Sequence, residues 1–221
     1  MNLTPWQTTR NECEPYHATL VAVSKTRTAE EIKSLYDAGQ RIFGENRVQE
    51  LIEKIPLLPH DIEWHLIGHL QTNKVKNIVG LVTTIHAVDS LKLLQEIEQQ
   101  FARLQPEASV NVLLQIRIAE EETKFGLTRL QLTELLDAYF QGEFKHIRIV
   151  GVMGMATQTD DENKIREEFR ALQSVFLYVR NGYFINQPSF KEISMGMSND
   201  YRLALEEGST MVRIGSLLFT S

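Results

Sequence analysis

Lys25 closes the stretch Leu20-Val21-Ala22-Val23-Ser24-Lys25-Thr26, where small and β-branched apolar residues give way to a serine and a lysine. That composition suits a strand buried on both faces. It puts the lysine at the strand's carboxyl-terminal end, the end that faces the active site in a parallel α/β barrel. In apolar surroundings there, a lysine can lose its proton and attack a carbonyl to form a Schiff base. Alone, the pattern more often marks only the point where a strand meets water.

Two later loops strengthen the chemical reading. Ser194-Met195-Gly196-Met197-Ser198-Asn199-Asp200 follows the seventh strand and Arg213-Ile214-Gly215-Ser216 follows the eighth, both rich in small residues with free amide and hydroxyl donors. Barrels often bind phosphate with these two loops and the start of a short helix. The plainer alternative is that Gly196 and Gly215 permit tight turns and Ser198 caps a helix. Arg213 shares a strand face with Met211 and Gly215, and a charge in so apolar a strand needs a partner, whether an ion pair or a ligand ring nitrogen. Arginine is a known partner of the pyridine nitrogen of pyridoxal phosphate. Asn46 and Arg47 after the second strand and Met155 after the sixth sit where side chains reach a barrel's mouth. A helix cap accounts equally well for Asn46, and core packing accounts better for Met155. His65 and His69 have a spacing that would suit zinc on a helix. In a strand-like segment, however, four residues span roughly 13 Å, which excludes a shared metal.

These residues need elements to hold them. Thr28 and Glu31 form a capping-box pattern for a helix over 28–38 that stops at Gly39. Strands are predicted over 41–44, 62–67, 82–88, 110–118, 147–153, 190–195 and 211–214. Helices are predicted after Arg47 and before Pro56, and over 72–79, 90–104, 128–140, 161–179 and 199–206. With the Lys25 strand this gives about eight strand-helix units, the count of a single-domain (β/α)8 TIM barrel in the α/β class. A doubly wound open sheet is the alternative, since order along the chain does not show whether strand eight pairs with strand one. Residues 1–17 give no clean helical face and read as an arm or at most a short helix, and 18–221 reads as one barrel domain. The 221-residue chain has 43% hydrophobic and 24% charged residues, an ordinary soluble composition. A net charge of -6 argues against broad nucleic-acid binding. A single cysteine, Cys13, rules out an internal disulfide and suits a reducing compartment. With no apolar run of membrane length and no secretory leader, the chain is expected in the cytoplasm and off the membrane.

With these residues assembled, the chain resembles the pyridoxal 5'-phosphate homeostasis proteins, a family similar to the N-terminal barrel of bacterial alanine racemase. The resemblance is carried by the Lys25 strand, Phe43-Gly44-Glu45-Asn46-Arg47-Val48-Gln49-Glu50, Trp64-His65-Leu66-Ile67-Gly68-His69-Leu70-Gln71-Thr72-Asn73-Lys74, Lys124-Phe125-Gly126-Leu127 and the two loops above. It implies a barrel in which Lys25 holds pyridoxal phosphate as an internal aldimine. It further implies that Ser198, Gly215 and Ser216 hold the phosphate, with Ser194 also among the cofactor-binding residues. Arg213 would face the pyridine nitrogen, and Asn46, His69 and Met155 would line the ring. The implied function is a non-catalytic, monomeric carrier or regulator of the cofactor and of amino-acid balance, with pyridoxal phosphate-dependent apoenzymes as recipients. The chain ends just after the eighth strand, without the further domain whose tyrosine serves alanine racemase as second acid-base group. An amino-acid racemase, a Schiff-base aldolase acting on a phosphorylated substrate and a barrel with no ligand at Lys25 are the rivals. Three departures stand out: no clear amphipathic helix before Thr19, His69 where many members carry proline, and Thr220 for a common terminal glycine.

Overall fold

The computed structural model describes residues 2–119 and 125–219. Eight parallel strands close on themselves in chain order: β1 Thr19–Val23, β2 Ile42–Glu45, β3 Glu63–Leu66, β4 Thr84–Val88, β5 Val110–Gln115, β6 Ile147–Met153, β7 Glu192–Ser194 and β8 Met211–Ile214. Closure is made by β1 on β8, with Thr19 opposite Met211, Val21 opposite Arg213 and Ala22 opposite Ile214. The open doubly wound sheet is thereby excluded. The strands read as apolar runs because both faces are covered, and all five residues of β4 are buried.

Helices α1 Thr4–Cys13, α2 Ala29–Asp37, α3 Val48–Lys54, α4 Leu91–Leu104, α5 Arg129–Gln141, α6 Glu162–Gly182 and α7 Tyr201–Glu206 accompany the strands. Their starts are written in the sequence. Thr28 with Glu31, and Thr128 with Gln131, form complete capping boxes, while Ser90 and Asp161 cap with their side chains. In α6 the buried Ile165, Phe169, Leu172, Phe176 and Val179 recur at alternate spacings of four and three, which puts one stripe on the sheet. No helix among the described residues is long and apolar enough to cross a membrane.

One expectation fails here, and one open alternative is decided. The stretch over 72–79 is a short 3-10 segment, Thr72–Asn77, because Thr72-Asn73-Lys74-Val75-Lys76-Asn77 offers one apolar anchor, Val75, and little helix propensity. The amino-terminal segment, read as an arm or at most a short helix, is the ten-residue helix α1, followed by a 3-10 turn at Glu14–Tyr16. Its buried face is Trp6, Thr9 and Cys13, a helical spacing hidden in the sequence because one member is polar and another small. Trp6 Nε1 donates to Gln40 Oε1 at 2.9 Å, and Gln40 Nε2 donates to the Leu20 and Ile42 carbonyls at 2.8 and 2.7 Å. At the other end, Glu12 pairs with Arg202 at 3.0 Å and accepts from the Tyr201 hydroxyl. The helix thus ties β1, β2 and α7 together. Lys124 and Thr220 lie outside the described residues.

Trp6→Ala should destabilise the protein by roughly 3–5 kcal/mol, the usual cost of emptying a buried aromatic site. The urea midpoint should fall without a change in slope; a loss below about 1 kcal/mol would mean that α1 is not part of the cooperative unit.

Candidate functional site

The strands divide the interior of the barrel into two kinds of surface. One is apolar: Ala87, Leu113, Val150, Met153 and Met211 pack together, with half-buried Met155 against them from the loop after β6. Met155 therefore packs as the sequence suggests, at the top of that cluster. The other is a line of polar side chains crossing from β3 to β8. His65 Nδ1 lies 2.9 Å from His86 Nε2, His86 Nδ1 lies 3.0 Å from Ser194 Oγ, and Arg213 donates to Ser194 Oγ at 2.5 Å and to the Gly154 carbonyl at 3.2 Å.

The arginine sets the direction of this line. Arg213 has only donors, so Ser194 Oγ accepts from it, and the serine's own hydrogen finds its acceptor at His86 Nδ1. His86 must then carry its proton on Nε2 and donate to His65 Nδ1. In the opposite direction the Ser194 hydrogen would have no acceptor among the described residues. Both histidines are thus held neutral. Burial lowers His65 to about 4 and pushes His86 well below its ordinary value, with His65 and Arg213 adding to the effect. Burial also lowers Arg213, to about 10, against the pull of Asp200, so it stays a cation at neutral pH. Ser194 is fully buried with both bonds committed, so it bears on the barrel mouth through Arg213.

Above this line lie the loops. Closure of β1 on β8 brings the turn bearing Lys25 beside the loop of Gly215 and Ser216; a Cβ added at Gly215 would meet Val23 Cβ at 3.2 Å. Lys25 itself is exposed in the turn beyond β1, on the rim rather than in the apolar setting the sequence suggested. Among the described residues nothing forms a hydrogen bond or ion pair with it. The Gly215 amide donates to Ser198 Oγ at 3.4 Å, longer than a well-made bond, so two loops face each other with donors only loosely occupied. Ser198 does not cap α7, whose N-cap is Asp200. Asp200 instead accepts from the Met197 amide at 2.6 Å, and burial raises its carboxyl. Gly196 is required in that turn: it lies at φ 93, and a Cβ there would sit 2.6 Å from Ala204 Cβ. Ser216 is exposed on the same rim.

On the neighbouring sector Asn46 is half-buried and caps nothing, since Arg47 is the N-cap of α3. The loop after β3 approaches it so closely that a Cβ at Gly68 would fall 2.3 Å from the Asn46 carbonyl oxygen. His69 is exposed, stacks on Phe125 at 4.3 Å between centroids and meets Asp89 at 3.3 Å, whereas His65 points into the barrel. The two therefore share no ligand.

Several residues of the site escaped the sequence reading. His86 is the ionisable member of a strand otherwise made of Thr84, Ile85, Ala87 and Val88, the same signal that exposed Arg213. Glu168 sits on the apolar stripe of α6, where it accepts from the Thr157 amide at 2.6 Å and hydroxyl at 2.7 Å to hold the loop carrying Met155. Glu45, Glu50 and Lys54 surround the Lys25 turn.

A pyridine aldehyde bearing a phosphate fits this donor set: an uncommitted amine, a cation held across the mouth by Ser194 and Gly154, and loosely bonded amide and hydroxyl donors on two adjoining loops. Fold and site together define the barrel class of the alanine racemase N-terminal domain, whose family the chain matches over residues 5–221. Its likeness to an alanine racemase of Clostridium difficile, TM-score 0.71 at 15% identity over 56% of that chain, is one of fold. The pyridoxal phosphate homeostasis protein of Aquifex aeolicus is 37% identical over 91% of this chain and 86% of its own. That of Escherichia coli K12 is 37% identical over 96% and 88%. The structure of PipY from Synechococcus elongatus with pyridoxal phosphate bound superimposes with a TM-score of 0.87 at 33% identity, covering 98% of both chains. The chain belongs to the pyridoxal phosphate homeostasis protein family.

The buried histidines give the site a pH signature. Unfolded, both titrate near 6.5; folded, His65 titrates near 4 and burial holds His86 well below its ordinary value. Below about 6.5 the unfolded chain binds protons that the folded one refuses, so stability should fall as pH drops toward 4. The His65 share should be on the order of 3 kcal/mol. His146 acts in the opposite sense, because its bond to Glu98 raises its pKa and its contribution fades as pH rises. Urea unfolding from pH 7 to 4.5 should show the decline and His65→Gln should flatten it; an unchanged slope would show that the pair is not buried neutral.

Proposed function

We propose that this chain binds pyridoxal phosphate covalently at Lys25 and serves to hold and release it, without turning over a substrate. The observation that carries the reading is the rim: an exposed lysine, free of partners among the described residues, lies across the barrel seam from the loop of Gly215 and Ser216. The cofactor supplies an aldehyde, which condenses with a neutral primary amine and loses one water, and a pyridine ring whose nitrogen accepts a hydrogen bond. Lys25 presents the amine. Ser198, Ser216 and the Gly215 amide take the phosphate, Arg213 donates to the ring nitrogen, and Asn46, His69 and Met155 flank the ring. The bound form of a relative at 33% identity supports the assignment of ligand.

A carrier is the better reading than a racemase. Racemisation needs acid-base groups on both faces of a substrate carbon. Lys25 serves one face. Of the six tyrosines, Tyr16, Tyr36, Tyr139, Tyr178 and Tyr183 lie away from the loops of the mouth. Tyr201, beside the β7 loop, is bonded to Glu12. Arg213, a fixed cation at the ring nitrogen, disfavours protonation there and weakens the ring as an electron sink. The chain is read as a monomer, as the family resemblance implies, and the one cysteine suits a reducing, cytoplasmic compartment. Recipients would be apoenzymes that use the same cofactor, since an exposed imine carbon is open to exchange with another amine.

Lys25→Ala should abolish the visible absorbance that borohydride bleaches in the loaded wild type; a band that survives would remove Lys25 from the role. Ser198→Ala and Ser216→Ala should weaken pyridoxal phosphate roughly tenfold or more while leaving pyridoxal little changed, because charge-assisted hydrogen bonds contribute about 1.5–3 kcal/mol each. Equal loss for both ligands would show that these residues do not read phosphate.

Loaded protein incubated with L- and D-alanine in deuterated water should show slow Cα exchange and no equalisation of enantiomers. Rapid exchange with inversion, lost in Lys25→Ala, would make the chain a racemase.

A further inference from the structure

The turn that carries Lys25 is held more firmly than a strand-to-helix connection requires. Ser24 is fully buried, with its amide bonded to the Gly44 carbonyl at 2.9 Å and its hydroxyl to Glu45 Oε1 at 2.7 Å. The Ser24 carbonyl accepts from Lys54 Nζ at 2.8 Å. On the far side of Lys25, the Thr26 amide donates to Glu50 Oε2 at 2.9 Å. Lys54 joins the two halves, at 2.7 Å from Glu45 Oε1 and 3.2 Å from Glu50 Oε2. Thr26 lies at φ 62, where a β-branched residue stays only if its surroundings hold it.

This clamp is expensive in desolvation. Glu45 is fully buried, Oε1 takes both of its bonds, and Oε2 has no partner among the described residues. Burial raises its carboxyl against the pull of Lys54 and Ser24. A buried ion pair is weak support for stability but good support for one geometry. The geometry selected is that of the two residues flanking Lys25. The corner also assigns different work to its two lysines: Lys54, tied to three oxygens, is a structural ammonium, and Lys25 is left to react.

We propose that Lys54, with Glu45 and Glu50, is a positioning group for the Lys25 amine, fixing the 24–26 turn so that the amine meets a phosphate-docked aldehyde. The inference rests on the assignment of Lys25 as the capturing residue. In the step concerned, the neutral Lys25 nitrogen bonds to the aldehyde carbon, and the aldehyde oxygen leaves as water with the two amine hydrogens. Once phosphate is docked the step is intramolecular, and its rate depends on where the amine is held. Loss of the clamp frees Thr26 to relax, so capture slows while docking is spared.

The test uses the full chain stripped of cofactor, with Glu50→Ala and the paired Glu45→Gln/Lys54→Met, which leaves no unpaired buried charge. Docking is read by calorimetry with pyridoxine 5'-phosphate, which has a hydroxymethyl group where the cofactor has its aldehyde. Capture is read by stopped-flow absorbance with pyridoxal phosphate and by the mass that borohydride fixes on the Lys25 peptide. Both variants, checked as folded by circular dichroism, should capture roughly 10- to 100-fold more slowly, with pyridoxine 5'-phosphate affinity within about twofold of wild type. Capture at the wild-type rate, or a parallel loss of pyridoxine 5'-phosphate affinity, overturns the positioning role. Absence of fixed mass on the Lys25 peptide of the wild type would instead overturn the assignment of Lys25 beneath it.

Discussion

The pairing of β1 with β8 is the contact on which the rest depends. Sheet closure removes both edges, and a sheet with no edges leaves no choice about which loops adjoin. Because Val21 faces Arg213 across the seam, the residues two to four places further along each strand must meet at the rim. A lysine and a loop bearing glycine and serine, separated by almost the whole chain, become neighbours through four backbone pairings. Were the sheet open, the same sequence motifs would stand at opposite edges.

The second constraint is a cation inside the barrel. Arg213 is nearly inaccessible to solvent, and its charge is compensated through oriented dipoles rather than a touching carboxylate: the Ser194 hydroxyl, the Gly154 carbonyl and, at longer range, Asp200. That choice leaves the guanidinium without a bidentate carboxylate partner among the described residues. Burial keeps the two histidines behind it neutral, and for His86 the charge of Arg213 adds to that effect. The barrel thus keeps one fixed positive charge inside, beside two neutral histidines and the apolar cluster of Ala87, Leu113, Val150, Met153 and Met211.

Much of this was legible in the sequence. β6 and β8 run over the residues predicted for them, and the capping box at Thr28 is present atom for atom, because such signals are local. Lys25, Ser198, Gly215 and Ser216 were readable as strand ends. What escaped was either long-range or quiet. His86 and Ser194 bond across 108 residues, and nothing in either segment names the other. The α1 face of Trp6, Thr9 and Cys13 carries too little apolar character to announce a helix. Lys25 stands just past the first strand, as the sequence reading has it, but not in the expected apolar setting: it lies two residues beyond β1, in the turn with Thr26, and is exposed on the rim.

One consequence concerns sulfur. A ligand with a reactive aldehyde is attacked by thiolates as well as amines, and a protein that stores one risks consuming it with its own side chains. The sole thiol of this chain, Cys13, is sealed beneath α1, and burial together with the charge of Glu12 raises its pKa to about 11. At cellular pH it is a protonated, inaccessible group. The helix that ties β1, β2 and α7 together therefore also withholds the thiol from any aldehyde that reaches the protein.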